Sequence, residues 1–574
     1  MHSGVVSLPF GVAASGRDVL LRSRASVDAD VRPGASTLSD EQRRAVDLAA
    51  SRCDGAIVAR AGSGKTYTLR AVAQRTAPRP TVLLAFNRAI AAEARASFPA
   101  HVTSTTLHAL AFRSVIAPDA RMRAKLAAGA GGRTRAAWVE LAGLDPRDPG
   151  MSGHVDALRM LLSRFAASAD DAPHDGHLPV ALRTRLVATL GRERAAERTR
   201  WLVRRVQRAW ERIADPDDPA ALDHDAYLKL FDLRGTRIAA ELLLVDEAQD
   251  LAPVMLSVLG RQDAARLLVG DPAQRIYGWR GAVDAMAASG YPEVRLTRSF
   301  RFGPEIAEVA LRVLHVLAPG ARLVGAGQAG EVSLESIARD VRRAVLCRTN
   351  LGVIEATLAF ADEGVHVVGG LEGTVASLRE AHALWSRRRG DLGGLRGRGH
   401  DGRGHGGRGH GGRRARPDRE GTPLHGGRPD ATTSTGFASW EELIEAAEMQ
   451  GGALRTLGRL VEAHGDDVPR LCRSLLNASR PTERDARVVL STVHRAKGRE
   501  WDHVELWSDF PRVAVDAGAL ARAPDPEAAR AELNLLYVAV TRARRTLSLA
   551  RVNDDLRELL TSADDRDRGA ARPA

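Results

Sequence analysis

The chain has 574 residues, 44% of them hydrophobic and 27% charged, which is typical of a globular protein with several domains. Its three cysteines, Cys53, Cys347 and Cys472, form no CxxC pair, which argues against a disulfide framework or a zinc site and favours the reducing cytoplasm. No apolar run approaches the roughly 18 residues of a membrane span, so no membrane partner is expected.

The net charge of +12 is concentrated in one segment. Twelve arginines and four acidic residues within 387–428 account for +8 of it, so the charge does not by itself indicate a basic face on a folded domain. Only four of the 83 basic residues are lysines: Lys65, Lys125, Lys229 and Lys497. In a chain so rich in arginine, each lysine is a candidate for a role that needs a compact ammonium group.

The first half of the chain begins with residues 1–35, which lack periodicity and are predicted to be a flexible extension. Apolar runs then predict strands at 56–59, 81–86, 242–245 and 266–269, with helices after the first two. Alternating strands and helices of this kind predict an α/β fold with parallel sheets. Between the predicted strands at 81–86 and 242–245, residues 111–235 have helical periodicity and no clear strand, so a helical insertion is predicted.

A second α/β set follows over 291–372 and 484–562, and residues 563–574 are predicted to be a flexible tail. Within 387–436, three tandem Arg-Gly-His-x-Gly pentads predict disorder, because they offer little apolar surface to offset chain entropy. Three interpretations of this segment stay open: a spacer, an arginine-glycine tether for nucleic acid, and metal capture by its histidines. The pentads begin at Arg398, Arg403 and Arg408, and their histidines are His400, His405 and His410.

A phosphate-binding loop is predicted at residues 59–66, between a strand and a helix. The segment has P-loop spacing, with Ala59 in place of the usual first glycine. Backbone N–H groups of such a loop surround phosphates, the lysine reaches the terminal phosphates and the hydroxyl ligates Mg²⁺. The sequence therefore predicts a site for ATP and Mg²⁺ built from Ala61, Gly62, Ser63, Gly64, Lys65 and Thr66.

Two adjacent carboxylates, Asp246 and Glu247, follow an apolar strand. Alone, such a pair is typical of a solvated loop. Together with a P-loop it predicts that Asp246 holds Mg²⁺ and that Glu247 polarises the attacking water. Arg301 and Arg542 are candidates for the cations that complete the charge clamp on the γ-phosphate.

Several segments resemble, in the same order, the motifs of superfamily 1 helicases of the UvrD/Rep type. Besides the P-loop and the acidic pair, they are 38–42 (the Q motif), 106–108 (motif Ib), 270–282 (motif III), 494–501 (motif V) and 537–543 (motif VI). Within that superfamily, 85–91 and 296–306 most resemble the F-box DNA helicase branch, although no F-box-like segment is evident.

The resemblance implies two RecA-like domains with helical insertions. The first is expected over 36–110 and 236–290 and the second over 291–372 and 484–562, with a reduced insertion at 373–483. By position, Gln42 would read adenine, Gln274 would sense the γ-phosphate and couple it to DNA, Glu500 would contact the ribose and Phe300 would stack on adenine. The family often has arginine where this chain has Tyr67, which either sandwiches adenine with Phe300 or packs on the domain surface.

A nucleic-acid track is predicted from Tyr277 and Trp279, two residues apart in the segment that resembles motif III. Aromatic faces stack on bases without sequence preference, although two core aromatics are the alternative. By resemblance, the same track includes His108, Phe86, Asn87 and His494, and a core position for Phe86 stays open.

These features imply an ATP-dependent DNA helicase or translocase that acts on single-stranded DNA and at junctions with duplex DNA, in repair or recombination. The 3′→5′ polarity is implied by resemblance alone. The alternative is a DNA-stimulated ATPase that removes proteins, such as recombinase filaments, from single strands without processive unwinding. Whether residues 437–483 grip duplex DNA separates the two, and RNA is a weaker alternative because no feature reads a 2′-hydroxyl.

Overall fold

The computed structural model describes residues 5–6, 38–130, 132–147, 151–278, 283–396, 437, 439–450 and 452–561. The chain divides into a large unit of residues 1–369 and 480–574 and a small unit, Gly370–Ser479. Among the described helices, none is both long and apolar enough to cross a bilayer.

The first sheet of the large unit has six parallel strands within the described ranges. They are β1 Gly55–Ala59, β2 Thr81–Leu84, β3 Val102–Thr105, β4 Leu242–Val245, β5 Ala265–Gly270 and β6 Glu293–Leu296. Their order is β3-β2-β4-β5-β1-β6, so β1 lies inside the sheet and β3 at one edge. Strands β1, β2 and β4 are buried along their whole length, as expected of apolar parallel strands covered on both faces.

Twelve of the described helices accompany this sheet. They are α1 Asp40–Ala50, α2 Lys65–Arg75, α3 Arg88–Ser97, α4 Leu107–Ala111, α5 Ala120–Ala128, α6 Arg135–Ala142, α7 Met151–Ala167, α8 Val180–Leu190, α9 Arg192–Ala214, α10 His224–Leu233, α11 Pro253–Gly260 and α12 Ala285–Ser289. The helices from α5 to α10 occupy the predicted insertion, and no strand lies among its described residues. Their buried side chains, including Phe165, Trp210 and Phe231, share one core with Val82 and Leu84 of β2.

The second sheet also has six parallel strands in the part of the chain that the structure describes. They are β7 Glu331–Ser333, β8 Arg343–Cys347, β9 Val365–Val367, β10 Val488–Thr492, β11 Trp501–Leu506 and β12 Ala543–Ser548. The order β7-β12-β11-β8-β10-β9 places β8, β10 and β11 at the buried centre. The predicted α/β class with parallel sheets is therefore confirmed.

Ten further helices lie in the described part of the second half. They are α13 Pro304–Leu317, α14 Asn350–Ala359, α15 Glu372–Arg396, α16 Trp440–Gln450, α17 Gly452–His464, α18 Val468–Ala478, α19 Val493–Ala496, α20 Ala517–Ala521, α21 Pro526–Val540 and α22 Asp554–Thr561. Helices α13 and α21 bury their apolar faces together under the second sheet, with Ile306, Val313, Leu536 and Val540 in one core. Helices α15 to α18 belong to the small unit, where Trp440 and Leu475 are buried.

Two predicted boundaries need correction. Residues 293–296 are predicted to lie in the second domain, but as strand β6 they pair in parallel with β1, so the first sheet continues to Leu296. The N-terminal extension is predicted to be flexible throughout, but Val5–Val6 pairs in parallel with Arg237–Ile238. Both strands are specified by partners distant in sequence, which local composition does not reveal. The two-residue strand Val324–Gly325 also pairs in parallel with Arg298–Ser299.

The disorder predicted from residue 387 onward is wrong for its first ten residues, because α15 continues to Arg396. Tertiary contacts hold this part of the helix. Arg388 pairs with Glu441 at 2.9 Å, and Arg389 pairs with Asp466 at 3.0 Å while its guanidinium lies over the Trp385 ring. The pentads and the rest of 387–436 lie outside the described residues, as do residues 563–574.

Candidate functional site

The predicted P-loop joins the buried end of β1 to the first residue of α2. Gly62 and Gly64 have φ values of 73° and 80°, a left-handed conformation that glycine adopts without strain. No side chain caps α2, so its N-terminal N–H groups are available to an anion. The buried hydroxyl of Ser63 also has no hydrogen-bond partner. A loop with unsatisfied donors around a helix N-terminus fits a polyphosphate.

The acidic pair lies beside this loop at the end of β4. Lys65 Nζ donates to Glu247 Oε1 at 2.9 Å, and Glu247 itself has a left-handed φ of 54°. Burial raises the pKa of Asp246 to about 6, with the Glu247 charge as the second cause. Burial opposes ionisation of Glu247 too, but Lys65 and Lys497 outweigh it and hold that pKa well below its usual range.

The raised pKa of Asp246 indicates that the site fits a divalent cation. Asp246 is a half-buried carboxylate whose own surroundings disfavour its charge, so a cation ligated there would stabilise the ionised form. Thr66, the first residue after Lys65 in α2, is exposed and therefore accessible to such a cation. The pair fits the oxygen-ligand chemistry of Mg²⁺.

Gln274 is tied to the acidic pair through buried groups. Its Nε2 donates to Asp271 Oδ2 at 2.9 Å, and the Asp271 N–H donates to Gln249 Oε1 at 3.1 Å. Gln249 Nε2 in turn donates to Glu247 Oε2. Arg60 NH1 donates to Asp271 Oδ1 at 3.0 Å. Hydrogen bonds through Asp271 and Gln249 therefore link Gln274 to Glu247.

Arg301 and Glu500 bring the second domain to the P-loop. The Arg301 Nε donates to Glu500 Oε2, and its NH1 donates to the Thr541 carbonyl at 2.8 Å. A Cβ built on Gly62 would lie 2.6 Å from Arg301 Cβ, so only glycine permits this approach. Burial opposes ionisation of Glu500, but Arg301 and Arg544 lower its pKa. Arg301 is therefore positioned beside the phosphate loop.

Arg542 is fully buried and donates within its own domain, to the Val538 carbonyl at 2.9 Å and the Arg499 carbonyl at 3.2 Å. Burial lowers the pKa of its guanidinium, and the neighbouring Arg301 lowers it further. Two arginines this close favour an anion between them. Arg542 therefore lies near Arg301, but the Nε and NH1 donors of Arg542 are already bonded to carbonyls of its own domain.

Three predicted adenine contacts surround Gly64. A Cβ built there would lie 3.1 Å from Gln42 Nε2, 3.8 Å from Tyr67 Cβ and 4.0 Å from Phe300 Cδ2. Tyr67 and Phe300 are 39% and 49% exposed, which is unusual for large aromatics beside a core. Gln42 also caps α1 reciprocally with Ser39. The three side chains meet at the P-loop, and both interpretations of Tyr67 stay open.

The predicted nucleic-acid residues include one stacked aromatic pair. The Phe86 ring lies 5.6 Å from the Tyr277 ring, with 20° between their planes, and Phe86 is 42% exposed. The Tyr277 hydroxyl donates to the His494 carbonyl at 3.4 Å. Phe86 is thus not a core residue, and Tyr277 is half-buried beneath it. Trp279 lies outside the described residues.

The remaining predicted contacts have structural roles as well. Asn87 Oδ1 accepts the Ile90 N–H at 2.9 Å and caps α3, so its carbonyl is already engaged. Burial lowers the pKa of His108, although Asp225 opposes this shift. Burial and Arg348 lower the pKa of His494. These shifts favour the neutral form of both imidazoles, which suits hydrogen bonding better than pairing with phosphate.

Two family models match the chain, an AAA domain over residues 42–280 and a UvrD-like helicase C-terminal domain over residues 453–554. The predicted resemblance to UvrD-like helicases of superfamily 1 is therefore confirmed. It is 29% identical to F-box DNA helicase 1 of Gallus gallus over 526 residues, 86% of this chain and 47% of that protein.

Two further proteins are also similar to the chain. The F-box DNA helicase protein 1 of Schizosaccharomyces pombe is 27% identical over 561 residues, 92% of this chain and 58% of that protein. The ATP-dependent DNA helicase UvrD2 of Mycobacterium tuberculosis is 28% identical over 353 residues, 54% of this chain and 47% of that protein. The chain thus spans about half the length of the curated relatives it matches.

One residue of the candidate site, Lys497, was not among the predicted site residues. Lys497 Nζ donates to Asp250 Oδ2 and, at 2.8 Å, to the Gln274 carbonyl, and it lies 3.9 Å from Glu247 Oε2. The same ammonium lies 5.4 Å from the centre of the Tyr277 ring. The scarcity of lysine marks Lys497 as unusual, but its partners are more than 200 residues away in sequence.

Proposed function

We propose that the chain is an ATP-dependent motor that moves along single-stranded DNA and acts as a DNA helicase. The observation that carries this proposal is the position of Lys497. It belongs to the second domain, yet it contacts the hydrolytic acid cluster and the aromatic pair of the first. One ammonium group therefore contacts residues of both the proposed ATP site and the proposed DNA track, and such contacts would support coupling between them.

The order of events follows from the contacts. ATP bound in the P-loop draws Lys65 toward its phosphates, which frees Glu247 Oε1 to orient the attacking water. Arg301 and, after its donors rearrange, Arg542 stabilise the charge that develops on the γ-phosphate. Mg²⁺ held by Thr66 and Asp246 would supply further neutralisation of the phosphate oxygens. Gln42, Phe300 and Glu500 would hold the adenosine, and Tyr67 lies beside them at the P-loop.

Closure of the cleft between the two sheets is the step that moves DNA in this proposal. Lys497 and His494 lie in one segment of the second domain, so a shift of that segment changes both the Gln274 contact and the support beneath Tyr277. The Phe86–Tyr277 pair then alters its grip on a stacked base. Repeated closure and reopening advances the strand, with 3′→5′ polarity expected from the family resemblance.

The Lys497 contact makes a specific prediction. Lys497→Ala is expected to reduce single-stranded-DNA-stimulated turnover on the order of 10-fold, about 1.4 kcal/mol, while unstimulated turnover changes little. The single substitution leaves the Asp250 carboxylate buried without its cation, which is expected to lower the free energy of unfolding by about 3–5 kcal/mol. Steady-state ATP hydrolysis with and without oligo(dT), together with thermal unfolding, measures both effects.

A double substitution separates coupling from stability. Lys497→Ala with Asp250→Asn removes both charges, so stability should recover while DNA stimulation stays low. Arg499→Ala, two residues away and paired with Glu483, is the control that should retain stimulation. Recovery of stimulation in the double variant would show that Lys497 acts only on folding.

The aromatic pair makes a second prediction. Tyr277→Ala is expected to weaken binding of single-stranded DNA on the order of 10-fold, since one stacked base is worth about 1–3 kcal/mol. Tyr277→Phe keeps the ring and should bind as the wild type does. Fluorescence anisotropy with labelled oligo(dT) measures the affinity. Unchanged binding by Tyr277→Ala, with a lower melting temperature, would make this ring a core residue.

Strand separation, as distinct from translocation, rests on the small unit. Its described helices include residues 440–450, 452–464 and 468–478, in the segment that the sequence analysis identifies as the candidate duplex grip. Forked and tailed duplexes, assayed beside displacement of a bound protein from single-stranded DNA, distinguish a helicase from an ATPase that only clears proteins. We expect displacement of the complementary strand, and the family resemblance implies a role in repair or recombination.

A further inference from the structure

A cavity of about 800 Å³ lies along β3, the edge strand of the first sheet. Three exposed arginines line it, Arg88, Arg95 and Arg113, and no acidic residue does. Within the described part of the chain, none of the three forms an ion pair. Arg95 and Arg113 are close enough that, after burial, the charge of Arg95 lowers the pKa of the Arg113 guanidinium. Clustered cations without carboxylates favour an anionic ligand.

The floor of this cavity has a polar group without a partner. The Ser104 hydroxyl is buried, with 3% of the residue exposed, and it makes no hydrogen bond. The neighbouring groups are satisfied, because Arg113 NH2 donates to Thr105 Oγ1 at 3.0 Å and Arg95 Nε donates to the Ser104 carbonyl at 3.1 Å. A buried hydroxyl left without a partner costs stability, so a ligand that hydrogen-bonds to it would be favoured.

An exposed aromatic stands at the same cavity. Phe112 is 37% exposed and begins the π-helical turn Phe112–Ile116, an uncommon geometry that often marks functional sites. Its ring lies edge-on to Tyr227, at 6.4 Å, and Tyr227 lies edge-on to His108, at 6.0 Å. This row of rings connects the cavity with a predicted DNA contact.

We propose that this cavity is an additional nucleotide subsite for single-stranded DNA. A phosphate would bind Arg88, Arg95 and Arg113 with the Ser104 hydroxyl donating to it, and the adjoining base would stack on Phe112. The subsite rests on the proposed function, since it extends the track that begins at Phe86 and Tyr277. An acidic peptide along the edge strand would use the same arginines but would not need an aromatic face.

The test is the length dependence of oligo(dT) binding to the intact chain, measured by anisotropy without ATP. In the wild type, affinity should increase with oligonucleotide length as the main track is filled. It should then increase by a further step once the oligonucleotide is long enough to reach Phe112. Phe112→Ala should remove that last increment, a loss on the order of 10-fold, and leave short oligonucleotides unaffected. Phe112→Tyr should keep the increment, and Phe112→Leu should lose it, because only the aromatic variant can stack.

Two further variants test the phosphate contacts. Ser104→Ala should weaken binding of long oligonucleotides without lowering the melting temperature, because it deletes a hydroxyl that has no partner in the protein. Arg88→Gln should lower the log–log salt slope for long oligonucleotides by about 0.7, the value for one phosphate on a single strand. Arg164→Gln, on the exposed face of α7, should leave the slope unchanged.

The outcomes separate the two proposals. If single-stranded DNA stimulates ATP hydrolysis but all these variants match the wild type at every length, the subsite is wrong and the motor stands. The subsite is also wrong if Ser104→Ala lowers the melting temperature and leaves binding unchanged. If DNA neither binds nor stimulates the wild type, the proposed function fails first.

Discussion

Replacing Lys65 with alanine is expected to lower ATP turnover by at least about 10³-fold, since we propose that this ammonium contacts the phosphates in the transition state. Single-stranded DNA binding should stay close to that of the wild type, because Lys65 is not part of the proposed DNA track at Phe86 and Tyr277. Steady-state hydrolysis at saturating oligo(dT), beside anisotropy without nucleotide, measures both properties.

Lys65→Arg is the matched control for charge. Arginine keeps the positive charge but presents a planar fork where a compact ammonium fits, so turnover should stay strongly reduced. Turnover at the wild-type rate in Lys65→Ala would remove the P-loop assignment. A parallel loss of DNA binding would mean that the substitution disturbs the fold beyond the Glu247 contact.

Glu247→Gln should be nearly as damaging, with turnover reduced on the order of 10²–10⁴-fold, the usual contribution of a positioned general base. The amide cannot accept a proton from the attacking water, but it still fits beside Lys65 and Gln249. ATP should therefore bind and remain unhydrolysed. Binding of a fluorescent ATP analogue, measured beside single-turnover hydrolysis, separates the two properties.

Asp246→Asn provides the contrast within the same strand end. Because Asp246 is the predicted Mg²⁺ ligand, the Asp246→Asn variant should need a higher Mg²⁺ concentration for half-maximal turnover. Glu247→Gln should leave that concentration unchanged. If both variants shift the Mg²⁺ requirement equally, the division of roles between the two carboxylates is wrong. If Glu247→Gln turns over ATP normally, another group must orient the water.

The parts of the candidate site that leave a pattern in the sequence are local in the chain. The P-loop needs a buried strand, a turn with left-handed glycines and a helix start, all within about a dozen residues, and each leaves its own pattern. Asp246 and Glu247 are recognisable for the same reason, since they follow a fully apolar strand. Those patterns depend on neighbouring residues and not on the rest of the fold.

The parts that sequence misses depend on distant partners. Strand β6 has alternating exposure and ends in one buried residue, so nothing local assigns it to the sheet of β1 instead of the second sheet. Arg388 and Arg389 look like the start of a disordered segment until Glu441 and Asp466 are placed beside them. Tertiary pairing overrides composition in both cases.

Lys497 shows the same limit within the site. Its rarity in an arginine-rich chain marks it as a candidate, but only the fold brings its ammonium to Asp250 and Gln274. Asn87 illustrates the converse. The resemblance to a family motif suggests a DNA contact for Asn87. In the structure its side-chain carbonyl caps α3, a role that an asparagine at the N-cap of any helix could serve.

Directional movement is the central claim, and stopped-flow arrival kinetics test it most directly. The intact chain is bound to oligo(dT) of increasing length with a fluorophore at either the 5′ or the 3′ end, and ATP is then added with a trap for free protein. We expect a lag before the 5′ signal that lengthens in proportion to oligonucleotide length, and no such lag at the 3′ end. A signal whose timing is independent of length at both ends would contradict movement along the strand.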